Sequence, residues 1–195
     1  MMPIYKITVV GLGALGSHLI LLARNWGASW TVIDFDRVES KNIQSQFHSR
    51  QGMGKHKVAA LKAAMQGLFG LQMIGHTVKL GTTNRDHMLK GADLIIDCTD
   101  NFEARDIIQT AAAAFDIPCL HGCLSADGTF ARVIWSELFD PDEENTEGEA
   151  TCEDGRNLPF HSQAAALIAQ VAQKFLETGK KESYQLTPFG VIRIA

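Results

Sequence analysis

Several features that mark other classes of protein are scarce or absent in this chain of 195 residues. It has only four cysteines and no C-x-x-C pair, so neither a disulfide framework nor a zinc knuckle is indicated. No apolar run approaches the ~18 residues of a membrane span, and Gly11 and Gly13 interrupt the first such run too early for a signal peptide. We therefore expect a cytoplasmic protein with reduced thiols, no zinc and no membrane association.

The chain also lacks any block of lysine and arginine. Its formal net charge is −4 and its pI is near 5.9, which give no field that would hold a polyanion. Nucleic acid is therefore not an expected partner. The length and the hydrophobic fraction of 46% suit a single domain over residues 1–195 with a substantial core.

Apolar runs alternate with helical patterns along most of the chain. The runs predict strands at 4–10, 30–34, 73–80, 92–98 and 118–124, and helical spacing predicts helices at 14–25, 55–68, 103–115 and 162–178. Further strands are expected at 129–135 and 184–194, and an antiparallel orientation is an alternative for the first of them. A polar loop at 36–54 and an acidic, mobile crossing loop at about 137–160 complete the prediction. The predicted fold is α/β, a Rossmann-like doubly wound, mostly parallel sheet with C-terminal antiparallel strands.

A glycine-rich turn follows the first predicted strand and opens the first predicted helix. It reads G-x-G-x-x-G, with the residues Gly11, Leu12, Gly13, Ala14, Leu15 and Gly16. Glycine lets phosphate oxygens approach the backbone, and the helix N-terminus supplies free N–H donors and partial positive charge. The turn is predicted to bind phosphate, although glycine turns of this kind also occur for packing alone.

Asp34 ends the next predicted strand, about 20 residues beyond the turn, where a carboxylate can accept both hydroxyls of a ribose. The turn and Asp34 together describe an NAD-dependent oxidoreductase as well as an ATP-dependent enzyme. The residues that follow separate these alternatives.

Four further motifs stand in order after the glycine turn: Asp34-Phe35-Asp36, then Asn42 to Gln46, then Gly54 to Lys57, then Asp97-Cys98-Thr99-Asp100-Asn101. In this order the sequence resembles the ThiF/MoeB family of ubiquitin-activating-like adenylyltransferases, whose members carry D-x-D, N-x-x-R-Q, G-x-x-K and D-C-T-D-N. The resemblance extends from Ile4 to near Ile168. It gives a role to Asn42 and Lys57, which the oxidoreductase alternative does not.

The resemblance implies an activity and a set of site residues. Members use ATP and Mg²⁺ to adenylate a carboxylate, here expected to be the C-terminus of a ubiquitin-like or sulfur-carrier protein ending in Gly-Gly, and a homodimer is expected. Asp34 would bind ribose, Lys57 would contact the phosphates, and Asp100 would hold magnesium. The remaining nucleotide-binding residues implied by the motifs are Asp36, Asn42, Gln46, Thr99 and Asn101.

Three residues of these motifs, Lys57, Asp97 and Asp100, have simpler interpretations. Lys57 could be a solvated residue on a helix face, which is the usual environment of lysine. Asp97 and Asp100 could cap the helix that begins near Asn101. We favour helix capping for Asp97 and metal binding for Asp100.

Ser45 stands where the N-x-x-R-Q motif of the family has arginine, a residue expected to hold the terminal phosphates. Arg50 is our candidate for the missing charge, with Lys55 or a residue of a second subunit as alternatives. If nothing replaces it, the chain could be a pseudo-enzyme subunit that binds nucleotide and supports a partner.

The cysteines present two further candidates. Cys152 lies in the acidic crossing loop, where the family members that form a thioester or acyl-disulfide place their reactive cysteine, but the flanking acidic residues would disfavour its thiolate. Cys119, His121 and Cys123 alternate along one predicted strand and so face one side, which is compatible with a metal site but more typical of a buried strand.

Overall fold

The computed structural model describes residues 4–125, 127, 129–139 and 155–195. Its strands form one sheet in the order β3-β2-β1-β4-β5-β6-β7-β8. They are β1 (Lys6–Val10), β2 (Ser29–Ile33), β3 (Met73–His76), β4 (Leu94–Asp97), β5 (Cys119–Leu124), β6 (Ala131–Trp135), β7 (Tyr184–Thr187) and β8 (Gly190–Arg193). The helices are α1 (Ala14–Ala23), α2 (Asn42–Ser45), α3 (Lys57–Phe69), α4 (Arg85–Leu89), α5 (Phe102–Ala114) and α6 (Leu158–Thr178), and 3-10 turns lie at Arg50–Gly52 and Ser136–Leu138.

The sheet is parallel from β3 to β5 and antiparallel from β5 to β8. The central strands β1 and β4 are almost wholly buried, as expected for parallel strands covered by helices on both faces. The predicted fold class, a mostly parallel α/β sheet with C-terminal antiparallel strands, is confirmed.

Two hydrophobic cores lie on opposite faces of this sheet. Alternate residues of β1 divide between them, with Ile7 and Val9 in the larger core and Val10 in the smaller. The larger core also contains buried residues of α1, α3 and α6, and α6 packs along α1. The smaller core contains buried residues of α4 and α5. The helices therefore cover both faces, which leaves the ends of the strands as the open edge of the sheet.

Some predicted boundaries are wrong. α6 begins at Leu158 rather than at residue 162, because Pro159 is accommodated in its first turn, where the missing N–H has no helical partner to lose. β3 ends at His76 rather than at residue 80, since Val78 and Leu80 continue as irregular chain packed on the smaller core. The short helix α4 was not predicted. Residues 140–154, most of the predicted crossing loop, lie outside the described residues.

The longest helix in the described ranges is α6, with 21 residues. Neither α6 nor any other described helix combines the length and the apolar character that crossing a bilayer requires.

Candidate functional site

A cleft of about 740 Å³ opens where β1, β2 and β4 end. β1 pairs with β2 on one side and with β4 on the other, and the chain winds outward from β1 in both directions. Ligands of open α/β sheets bind at such a reversal of strand order, at the carboxyl ends of the strands. The predicted site residues that line the cleft are Gly11, Gly13, Ala14, Leu15, Asp34, Asp36, Asn42, Gln46, Lys57, Thr99, Asp100 and Asn101.

The three glycines of the turn have different reasons to be glycine. Gly11 has a φ of +88°, and a Cβ there would lie 2.7 Å from the carbonyl oxygen of Cys98. A Cβ on Gly16 would lie 1.9 Å from the carbonyl oxygen of Gly11, so packing requires glycine at both positions. A Cβ on Gly13 would meet no atom within 4 Å, yet Gly13 lines the cleft. Only at Gly13 does the absence of a side chain leave space for a ligand rather than for the protein itself.

Asp34 follows β2 and is 8% exposed. Its Oδ2 accepts the N–H of Leu12 at 2.7 Å, and its Oδ1 accepts the N–H of Asp36 at 2.7 Å. Burial raises the pKa of Asp34 above its ordinary value, against the opposing positive charge of Lys57. Each carboxylate oxygen keeps a lone pair after these bonds, so the residue can still accept hydrogen bonds from a ligand in the cleft.

Lys57 is the first residue of α3 and is almost completely buried. Its Nζ donates to Asp36 Oδ2 at 2.9 Å, and the Asp36 side chain is 47% exposed. The prediction allowed a solvated lysine on a helix face, but the structure places this ammonium in the wall of the cleft. A buried ammonium needs an anionic partner, and here Asp36 supplies it.

The segment after Asp36 brings Asn42 and Gln46 to the cleft and does not bring Arg50. Asn42 is buried and its Oδ1 accepts the N–H of Glu39 at 2.8 Å, so part of its function is to hold the chain around α2. Arg50 is exposed and is not among the residues that line the cleft. Ser45 is fully buried, and its Oγ has no hydrogen-bond partner among the described residues.

The residues after β4 divide between the protein interior and the cleft. The predicted capping role of Asp97 is wrong: Asn101 caps α5, accepting the N–H of Ala104 at 2.9 Å. Asp97 is completely buried, its Oδ2 contacts His121 of β5, and its Oδ1 accepts both the N–H and the Oγ–H of Thr99. Asp100 is exposed and lines the cleft.

Four basic residues that the sequence analysis did not select also line the cleft, namely Arg37, Lys41, Lys79 and Arg105. Arg105 donates from Nη2 to the carbonyl oxygen of Thr99 at 2.9 Å. Arg105 lies four residues after Asn101, the N-cap of α5, and therefore one turn into that helix.

Two of the alternating residues of β5, Cys119 and His121, take part in one hydrogen-bonded group. His121 Nδ1 lies 2.8 Å from Asp97 Oδ2, its Nε2 lies 2.8 Å from Ser136 Oγ, and Cys119 Sγ lies 3.6 Å from the same Nε2. Burial raises the pKa of the Cys119 thiol well above its ordinary range. Within the described ranges, no group of at least three histidine, cysteine or acidic side chains is placed to hold a metal ion. Cys152 lies outside the described residues.

Comparison with known proteins gives one family. The model of the ThiF family matches residues 4–191. The chain is 29% identical over 138 residues to the probable adenylyltransferase/sulfurtransferase MoeZ of Mycobacterium tuberculosis, which covers 69% of this chain and 35% of MoeZ. It is 30% identical over 123 residues to the sulfur carrier protein adenylyltransferase of Thermus thermophilus, which covers 61% of this chain and 45% of that protein. The chain therefore spans less than half of either relative.

Solved structures agree on the fold. Escherichia coli MccB, solved with ATP, matches with a TM-score of 0.76 at 17% sequence identity, covering 97% of this chain and 63% of MccB. At that identity the similarity shows the fold alone.

Proposed function

This chain belongs to the ThiF family, and we propose that it is an ATP-dependent adenylyltransferase that activates the C-terminal carboxylate of a ubiquitin-like or sulfur-carrier protein. The names of the relatives from M. tuberculosis and T. thermophilus support adenylyl transfer, and the second name supports a sulfur carrier as the substrate.

One observation carries the proposal. Gly13, Asp34 and Lys57 come from different parts of the chain, and all three line one cleft at the reversal of strand order. The open space at Gly13 fits a phosphate, the Asp34 carboxylate fits a ribose, and the Lys57 ammonium fits the negative charge of a triphosphate. A polyphosphate nucleotide accounts for all three features together.

In the proposed reaction the carboxylate oxygen of the carrier attacks the α-phosphorus of ATP, and pyrophosphate leaves with the electrons of the broken P–O bond. The nucleophile is already anionic, so no protein base is required. Lys57 would exchange Asp36 for a phosphate oxygen, and Gly13 would orient the phosphates against the backbone. These residues would contribute through positioning and charge neutralisation.

Asp100 is the residue that would hold Mg²⁺. It is exposed to the cleft, and a Mg²⁺ site of this type needs only one or two carboxylates together with substrate phosphates, so the absence of a larger ligand cluster among the described residues is compatible with it. When bound there, the ion would offset the negative charge that develops on the phosphates.

A second candidate, a nucleotide-binding subunit without catalysis of its own, is favoured by Ser45. Its hydroxyl is fully buried and carries no charge, at the position where the family motif has arginine. In this candidate the cleft binds ATP and the chain supports a catalytic partner.

The test has two stages. Titration with ATP and NAD separately is expected to show binding of ATP and no comparable binding of NAD, and the reverse result would favour an oxidoreductase. Pyrophosphate exchange and intact mass are then measured with small proteins ending in Gly-Gly from the same genome. A carrier that gains the mass of one adenylyl group supports the enzyme, whereas ATP binding without exchange for any carrier supports the second candidate. Transfer to Cys152, homodimerisation and a cytoplasmic location stay predictions.

A further inference from the structure

The two peptides that flank Leu12 are each held by one side chain from outside the glycine turn. The Leu12 N–H donates to Asp34 Oδ2 at 2.7 Å, and the Leu12 carbonyl oxygen lies 3.0 Å from Nε2 of His48. Leu12 is fully buried and His48 is 7% exposed. Neither of these two residues lines the cleft, whereas Gly13 does.

The contact with Leu12 fixes the tautomer of His48. A carbonyl oxygen only accepts, so Nε2 must carry the proton and donate it. Nδ1 is then unprotonated, and it is buried with no hydrogen-bond partner among the described residues. Burial lowers the pKa of His48 to about 4, with further lowering from the positive charges of Lys57 and His18. The imidazole is therefore neutral at physiological pH and keeps this donor orientation.

The segment that carries His48 is tied to the start of α1. The N–H of Phe47 donates to Ser17 Oγ at 2.9 Å, and the Ser17 hydroxyl donates to the Gly13 carbonyl oxygen at 2.6 Å. The N–H of His48 donates to the carbonyl oxygen of Gln46 at 2.7 Å. The hydrogen bonds that run from Gly13 through Ser17 to Phe47 therefore hold the segment of His48 beside the glycine turn.

We propose that His48 is a positioning residue for the nucleotide, which holds the Leu12 carbonyl so that the N–H of Gly13 faces the phosphates. A trans peptide is planar, and its C=O and N–H point in opposite directions. Holding the Leu12 carbonyl toward His48 therefore directs the Gly13 N–H away from His48, to the side on which Gly13 lines the cleft. This inference rests on the proposed function, because it requires a phosphate ligand at Gly13.

The test compares two ligands, ATP and adenosine, of which only ATP carries phosphates. In His48→Leu the affinity for ATP is expected to fall roughly tenfold or more, the usual effect of losing one oriented hydrogen bond to a charged group. The affinity for adenosine, measured by ligand-detected NMR, is expected to change less than about twofold. His48→Gln keeps a donor at the same distance along the side chain and is expected to recover most of the ATP affinity.

His161→Leu is the matched control, since it also removes a buried imidazole, in α6, that does not line the cleft. It is expected to leave the affinity ratio of ATP to adenosine unchanged. Equal losses for ATP and adenosine in His48→Leu, or no recovery in His48→Gln when the thermal midpoint of that variant matches wild type, would overturn the inference. If wild type itself binds no ATP, the proposed function fails and not the role of His48 alone.

Discussion

His121 Nδ1 lies 2.8 Å from Asp97 Oδ2, with the two side chains 0% and 1% exposed, between adjacent strands of the sheet. The carboxylate can only accept, so Nδ1 carries a proton and donates it to Asp97, and Nε2 forms a second hydrogen bond with the hydroxyl of Ser136. The other oxygen of Asp97 accepts two hydrogen bonds from Thr99, the residue that directly precedes Asp100. A buried hydrogen-bonded pair therefore supports the turn that presents Asp100 to the cleft.

We predict that His121→Leu lowers the free energy of unfolding by about 3 kcal/mol, because it leaves the Asp97 carboxylate in the interior without its partner. Ser136→Ala removes only the hydroxyl at the far end of the network and is expected to cost about 1 kcal/mol. Urea unfolding of both variants measures the difference. A loss in His121→Leu no larger than that in Ser136→Ala would show that the pair does not stabilise the fold.

Gly13 and Gly16 give a second prediction, since the same substitution should affect different properties at the two positions. Gly13→Ala places a methyl group in open space and is expected to fold with a near-normal thermal midpoint while losing at least tenfold in ATP affinity. Gly16→Ala forces a Cβ to within 1.9 Å of the Gly11 carbonyl oxygen and is expected to destabilise the fold itself. Thermal unfolding and ATP titration test both. Normal ATP affinity in Gly13→Ala would place the phosphates elsewhere.

Much of this site could be predicted from the sequence, for reasons that particular residues illustrate. Gly13, Asp34 and Lys57 stand at strand and helix ends, and the alternation of apolar runs placed those ends at one edge of the sheet. Asp97 was misassigned because its direction depends on its register with His121, a contact between strands that local sequence does not specify. Arg105 was missed and Arg50 was favoured instead, because proximity along the chain does not indicate which cations a fold brings to a cleft.

The pH dependence of Asp34 gives a third prediction. Its pKa is raised by burial, so the folded protein takes up this proton more readily than the unfolded chain, and protonation stabilises the fold while it removes an acceptor for ribose. Adenosine carries no phosphate to titrate. Its affinity is expected to fall on acidification from neutral pH, in a range above the one in which an ordinary aspartate titrates.

In Asp34→Asn, adenosine binding is expected to be weak and nearly independent of pH over the same range. Ligand-detected NMR measures the affinity of both proteins for adenosine. If the affinity of wild type for adenosine stays constant throughout, Asp34 does not bind the ribose in its ionised form.

Lys57 gives a fourth prediction. Lys57→Met keeps the unbranched stem of the buried side chain and removes the ammonium, and it is expected to lower ATP affinity at least tenfold while adenosine affinity stays near wild type. Lys55→Met is the matched control, because Lys55 is exposed two residues earlier and does not line the cleft. If calorimetric titration shows that the two substitutions lower the ATP affinity equally, Lys57 contributes only through the general charge of the protein.

The most direct test of the central claim is a crystal structure of the chain with Mg²⁺ and a non-hydrolysable ATP analogue. We predict that the triphosphate lies against the backbone of Gly13, that the ribose hydroxyls bind Asp34, and that Lys57 leaves Asp36 for a phosphate oxygen. A nucleotide bound elsewhere, or bound in this cleft with Lys57 still paired to Asp36 and no phosphate at Gly13, would contradict it.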